Sequence, residues 1–221
     1  MFNNAGDREK ILNISQWGNL RFGNSARQFS GCSNLTITAT DSPDLSGTRV
    51  LENVFKNAPK VNADLSGWDT SSIVSMQGAF EGATSFNGDI STWDTSGVTH
   101  FMSMFAGASN FNGDLSNWDT GSGHWMQYMF AEATDFAGKG VANWNMSNAY
   151  DISGMFRGTD VFNVDLNNWD TSDVTKMEYT FANTAVFNQD IGDWDTSQVT
   201  TMRGLFTNAA AFNQDIGNWD T

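Results

Sequence analysis

Residues able to do acid–base or nucleophilic chemistry are few and far apart. His100 and His124 are the only histidines, and Cys32 the only cysteine, in 221 residues. A lone thiol forms neither an internal disulfide framework nor a multi-thiolate metal site. No phosphate loop, nucleophile elbow or metalloprotease motif occurs. Carboxylates are abundant, but 12 of the 25 acidic residues are one pair used six times: Asp64/Asp69, Asp89/Asp94, Asp114/Asp119, Asp165/Asp170, Asp190/Asp195 and Asp215/Asp220. An acid/base couple needs two carboxyls tuned to opposite roles by different surroundings. A pair copied six times is a scaffold feature, so the expectation is that the protein is not an enzyme and carries no cofactor.

The same carboxylates raise a metal question. If the repeats stack in register, the first members of the pairs form files, and two carboxylates about 5 Å apart in water repel by roughly 0.8 kcal/mol. Two arrangements offset that. One is hydrogen bonding to backbone and hydroxyl groups at turns. The other is Ca²⁺, which takes oxygen ligands, with Asp89, Asp114, Asp165 and Asp190 as the candidates. Neither the EF-hand loop nor the Gly-rich calcium nonapeptide occurs, so the metal assignment is "none" with those four in reserve. Asn62, Asn87, Asn112, Asn163, Asn188 and Asn213 pose a parallel choice between an internal ladder and an exposed polar row. Strict strand alternation would turn Gln189 and Gln214 inward, which leaves the strand phase open. Thr70, Thr95, Thr120, Thr171, Thr196 and Thr221 form a hydroxyl file that a flat ice- or polymer-binding face would need, against a reading as turn hydroxyls.

The binding candidates lie where the pattern breaks. "WDTSxV" becomes "WDTGSGHWM" from Trp118, losing an apolar residue to Gly123. One residue is then inserted, Lys139 stands near an expected Asp, and Asn145 replaces the Asp of "WD". These changes bring in His124, Trp125, Tyr128 and Tyr150. Trp125 follows His100 in the variable file Ser75, His100, Trp125, Asp151, Lys176, Thr201, and such variation predicts exposure. Read as a helix, the segment puts Tyr128 on the same side as Trp125, while His124 and Tyr150 hold matching positions in adjacent units. Exposed aromatics concentrate binding energy for sugars and peptides. The candidate ligand-binding residues are therefore His100, His124, Trp125, Tyr128 and Tyr150. The alternative is a drifted repeat whose tryptophan folds down over a loosened segment.

Positioning falls to the repeat itself. Trp68, Trp93, Trp118, Trp144, Trp169, Trp194 and Trp219 are 25, 25, 26, 25, 25 and 25 residues apart, and Phe55, Phe80, Phe105, Phe130, Phe156, Phe181 and Phe206 keep the same step. A fixed period in this range implies a solenoid or array whose units bury their faces on one another. Val98, Phe101, Met104, Phe105 and Ala108 make one apolar stripe of a short helix, capped by Asp94 or Ser96. "FNGDI", Phe86 to Ile90, reads as a short strand. The predicted fold is an α/β, leucine-rich-repeat-like solenoid, each unit a short helix plus a short parallel strand, with the tryptophans as a structural stack. Residues 1–41 read as an edge strand ("ILNISQWG") and a degenerate capping repeat, and residues 42–221 as tandem repeats of one solenoid domain. In the latter, Pro43 stands where a tryptophan is expected.

The combination "FNxDIxxWDTSxVTxMxxMFxxA" with "FSGCSNLTITATDSPDLSG" resembles the BspA-like leucine-rich-repeat surface proteins of bacteria, and the tandem part resembles the 25-residue repeat of mycoplasma surface lipoproteins. The resemblance spans about residues 11–221. It implies a right-handed α/β solenoid on an extracellular cell surface, set within a larger multidomain protein and serving adhesion or ligand binding. The implied partners are proteins or glycans of a host or neighbouring cell, with the segment itself monomeric. A purely structural spacer is the competing class. The family supplies no fixed ligand residues.

Composition limits the partners further. A net charge of −14 opposes binding to nucleic-acid backbones and anionic membranes. No apolar run approaches the ~18 residues of a membrane span, and the first ten residues carry no signal-peptide pattern. The motif breaks off at "FNQDIGNWDT", which reads as a chain continuing onward.

Overall fold

Two positions in every repeat carry a positive φ, and they decide the local structure. Asn53, Gly78, Ser103, Tyr128, Gly154, Tyr179 and Gly204 form one such file, and Asn57, Gly82, Gly107, Glu132, Gly158, Asn183 and Asn208 the other. An α-helix tolerates neither, because a left-handed residue turns its peptide out of the i→i−4 pattern. Each instead occupies the third position of a tight turn. In the repeat around Phe105, Met104 N–H donates to Phe101 O (3.1 Å) and Ala108 N–H to Phe105 O (2.9 Å), the turns closing over Ser103 and Gly107.

The predicted helix-plus-strand, leucine-rich-repeat-like solenoid is therefore not what this chain builds. The computed structural model describes residues 7–220, and among them there is no α-helix. Regular elements are two three-residue 3-10 turns, Arg8–Lys10 and Val141–Asn143, and two two-residue strands, β1 (Asn13–Ile14) and β2 (Thr36–Ile37), paired in parallel. The physical reason is one of spacing. Consecutive three-residue turns repeat an apolar side chain every three or four positions, as a helix does. "FNGDI" is not a strand either, although Phe86 and Ile90 are both buried.

The ladder between coils runs through the segment predicted as helix. Phe101, Ser103, Phe105 and Gly107 donate to the carbonyls of Trp125, Gln127, Met129 and Ala131 at 2.7–2.9 Å, while the N–H groups of Met104 and Ala106 close the turns. The same four rungs recur in coil after coil, and parallel bridges link Val50, Ser75, His100, Trp125, Asp151, Lys176 and Thr201 in series. Every other amide thus reaches a neighbouring coil, so the backbone is satisfied without a helix or a continuous sheet.

Stacked aromatics fill the interior. Phe80, Phe105, Phe130, Phe156, Phe181 and Phe206 form a file with ring centroids 5.6–5.9 Å apart. A second phenylalanine file packs against it at 3.8–4.1 Å, as in Phe105 on Phe111. Tryptophans stack beside them, and from Trp93 onward each indole N–H donates to a carbonyl of the preceding coil. Each buried large side chain contributes roughly 1.5–3 kcal/mol, only because the next coil covers it.

The polar files are internal structure. Asn62 Oδ1 accepts Asn87 N–H, Asn87 Oδ1 accepts Asn112 N–H and Asn112 Oδ1 accepts Ala137 N–H, and Asn163, Asn188 and Asn213 form a second run, all near 2.9 Å. Gln189 and Gln214 do not turn inward. Their amides donate to Asn163 and Asn188 of the preceding coil. The inserted residue of the third Trp-to-Trp step is absorbed around the 3-10 turn Val141–Asn143, which keeps Val141 buried. Thr221 and the first six residues, included in the sequence reading, lie outside the described residues.

Candidate functional site

The break in the pattern sits at one corner of the stack, on two adjacent files. His124 N–H donates to Thr99 O (3.0 Å), Tyr150 N–H to His124 O (2.9 Å) and Thr175 N–H to Tyr150 O (3.0 Å), so His124 and Tyr150 are neighbours on one rung line. One residue further on, His100, Trp125 and Asp151 are bridged in parallel. The backbone ladder therefore presents these side chains at the spacing of the coils. Gly123 leaves room that Met126 fills, since a Cβ there would lie 2.4 Å from Met126 Cε.

Their side chains make a row. The His100 and Trp125 rings stack with centroids 6.4 Å apart, Tyr150 meets Trp125 edge-on at 5.2 Å, and Lys176 Nζ lies 5.7 Å from the Tyr150 ring centre. Trp125 is half-buried, while His124 and Tyr150 are exposed. Beside the row is an open cavity of about 280 Å³ lined by His124, Asn148, Tyr150, Asp173, Thr175 and Gln198. His124 Nδ1 lies 2.7 Å from Ser122 O, a group that can only accept, so Nδ1 carries a proton in this contact. The corner offers aromatic faces flanked by amide, carboxylate and hydroxyl groups. That set suits hydrogen bonding and stacking and has no paired nucleophile and base.

Two expectations need correction. Tyr128 is not on a common helical side with Trp125. It sits at φ 58°, makes no ring contact with Trp125, and lies over Gly154, where an added Cβ would come 2.4 Å from its ring. Nor is the variable file uniformly exposed: Ser75 and Asp151 are buried, with Asp151 accepting Ser153 N–H at 2.9 Å. Sequence reasoning missed Lys176, Asn148, Asp173, Thr175 and Gln198. Their signal was register, because residues 148, 173 and 198 stand two positions before 150, 175 and 200.

The calcium candidates are occupied otherwise. Asp89, Asp114 and Asp190 each accept the N–H two residues on, and Asp165 does the same from Asn167, all at 2.9–3.0 Å. These are Asx turns. Hydrogen bonds from the Ser71 and Ser172 hydroxyls, then from their N–H groups, hold Asp69 and Asp170 below the ordinary carboxylate range. Lys139 reaches back to Asp114 at 2.6 Å, and together with Ser116 it lowers that carboxyl to about 2. Among the described residues no three His, Cys, Asp or Glu side chains converge as a metal site. The threonine file offers no ice-like face. Thr70, Thr95, Thr120, Thr171 and Thr196 are buried, and their hydroxyls donate to carbonyls of the next coil. Cys32 is buried, and that burial pushes its thiol up to about 11.

A sequence-family profile described as "Mycoplasma protein of unknown function, DUF285" matches residues 23–139 and 124–221. No curated protein matches the chain.

Proposed function

The chain belongs to that Mycoplasma-type family, and we propose that it is a non-catalytic adhesion or ligand-binding module of a bacterial cell surface, with a protein or glycan as partner. The observation that supports this reading is the corner row of His100, Trp125 and Tyr150 beside the cavity at His124. There the repeat gives up its own consensus and exposes aromatic faces together with hydrogen-bonding groups. Placement on a cell surface is part of this proposal, and the resemblance of the repeat to that of mycoplasma surface lipoproteins supports it. No described helix is long and apolar enough to cross a membrane.

A glycan and peptide array, read with and without calcium, identifies the ligand. Trp125→Ala then weakens its binding by about 30-fold, the scale of a tryptophan anchor, while the thermal midpoint moves by less than about 2 °C. A large fall in the midpoint with binding intact would make Trp125 a packing residue and end this reading. A structural spacer is the second reading, favoured by the use of the Asn, Thr and Asp files inside the stack. It predicts an empty array.

A further inference from the structure

A different feature sits at the other end of the repeat, where the tandem coils meet the atypical first ones. From Trp93 to Trp219 every tryptophan of the file donates its indole N–H to the carbonyl 28 or 29 residues back, at 2.9–3.4 Å. Twenty-eight residues before Trp68 stands Thr40, yet this pair is not bonded. Trp68 is 4% exposed, its backbone N–H donates to Leu65 O, and neither its indole N–H nor Thr40 O has a hydrogen-bond partner among the described residues. The Trp68 indole N–H is not among the buried polar atoms left without a partner, so it opens to solvent. Both residues line the same open groove of about 510 Å³.

The groove has a physical cause. β2 pairs back to β1, and Asp41 accepts the N–H groups of Trp17 and Gly18 at 2.7–3.1 Å, which draws residues 36–41 toward the first coil. Pro43 stands in place of the tryptophan that would have stacked on Trp68, and Trp17 and Phe22 pack edge-on against that ring instead, each at 5.5 Å. The asparagine ladder ends here too. Ile37 lies 25 residues before Asn62, so Asn62 N–H lacks the side-chain acceptor that Asn87 and Asn112 have. Across the groove, the Ser42 hydroxyl on Gly67 O (2.9 Å) is the one hydrogen bond between residues 37–42 and 62–68.

We propose that this groove binds one ring of a neutral sugar, whose hydroxyls take the bonds that the adjoining coil makes elsewhere. Trp68 Nε1–H and Asn62 N–H would donate to the sugar, and Thr40 O and Asp64 would accept from it. Ile37, Ala39 and Ala63 give an apolar wall for the C–H face of a pyranose. The volume lies within the range of small-ligand sites, roughly 300–1,000 Å³. Asp41 and Asp64 on the rim repel anions, so sialylated, sulfated and phosphorylated ligands are excluded. This site is separate from the aromatic corner and does not depend on it.

Nuclear magnetic resonance of the ¹⁵N-labelled protein tests the proposal. In the free protein the Trp68 indole proton, assigned through Trp68→Phe, exchanges with water faster than that of Trp93. Galactose, mannose and N-acetylglucosamine are then titrated to about 20 mM each, the range of weak single-ring binding. At least one shifts the Trp68 indole and Asn62 amide signals in a saturable way and slows the Trp68 exchange, and N-acetylneuraminic acid does not. Trp68→Phe weakens that sugar about three- to tenfold, as expected for one lost hydrogen bond. Thr40→Trp, at an exposed position, blocks the groove and abolishes the shifts. Slow Trp68 exchange in the free protein, silence with all three sugars, or shifts that survive Thr40→Trp would overturn it. A sugar that moves His124 and Tyr150 instead would also overturn it, while leaving the corner reading intact.

Discussion

Ser103 gives the sharpest test of the local structure, because its two possible environments predict opposite rankings. In the coil it sits at φ 55°, its N–H donates to Gln127 O (2.9 Å), its carbonyl accepts Ala106 N–H (3.2 Å), and its hydroxyl makes no hydrogen bond. Substitution there changes backbone preference and little else. A left-handed L-residue costs about 1–2 kcal/mol that glycine does not pay, against roughly 0.4–1 kcal/mol of extra chain entropy for glycine in the unfolded state. Ser103→Gly is therefore neutral to about 1.5 kcal/mol stabilising, and Ser103→Ala gains nothing. In a helix interior alanine would instead beat glycine by about 1 kcal/mol. The gap between the two variants reverses sign, a swing near 2 kcal/mol, or about 4–8 °C in midpoint for a chain of this size. Thermal unfolding followed by tryptophan fluorescence reads it. An alanine variant more stable than the glycine variant would refute the turn.

Other perturbations follow from the same geometry. Gly140→Ala places a Cβ 2.3 Å from Ser116 N at φ 94°, where only backbone could give way, so the midpoint should fall by at least about 5 °C; an unchanged midpoint would contradict the close approach of these coils. Lys139→Met should move the Asp114 carboxyl from about 2 toward 3.8 in a ¹³C-detected titration. Because the folded value is depressed, its contribution to stability is complete above about pH 4 and lost as pH falls toward 2; a titration indifferent to Lys139 would remove the ion pair. Calcium at about 5 mM, well above the affinity of weak extracellular sites, should leave the midpoint unchanged; a clear rise would restore Asp89, Asp114, Asp165 or Asp190 as ligands.

The period, the aromatic files and the place where the pattern breaks could all be read from residue types, since stacked coils demand the same side chain at the same step. The helix could not be distinguished from a run of turns. Val98, Phe101, Met104, Phe105 and Ala108 have helical spacing, and the left-handed positions are disguised wherever Ser103, Tyr128, Glu132 or Tyr179 stands in place of glycine or asparagine. Seven positions aligned in register, rather than one repeat read alone, would have exposed them. The choice between internal ladder and surface row for the asparagines and threonines depended on strand phase, which no single repeat fixes. At the corner, the aromatic members were visible as departures from consensus. Asn148, Asp173, Thr175 and Gln198 were not, because each looks ordinary until the coils are superposed, and Lys176 was visible only as a member of the variable file. Pro43 was visible as a substitution, but the groove between residues 37–42 and 62–68 depends on the pairing of β1 with β2, which no single repeat shows.

The central claim is that each coil is closed by its neighbour, since only that geometry sets His124, Trp125 and Tyr150 side by side. Its most direct test is the through-hydrogen-bond ¹⁵N–¹³C′ coupling of the Tyr128 amide. The stacked coil predicts coupling to the Ser153 carbonyl, 2.8 Å away on the next coil. Coupling to the His124 carbonyl, the i→i−4 partner of a helix, would contradict it.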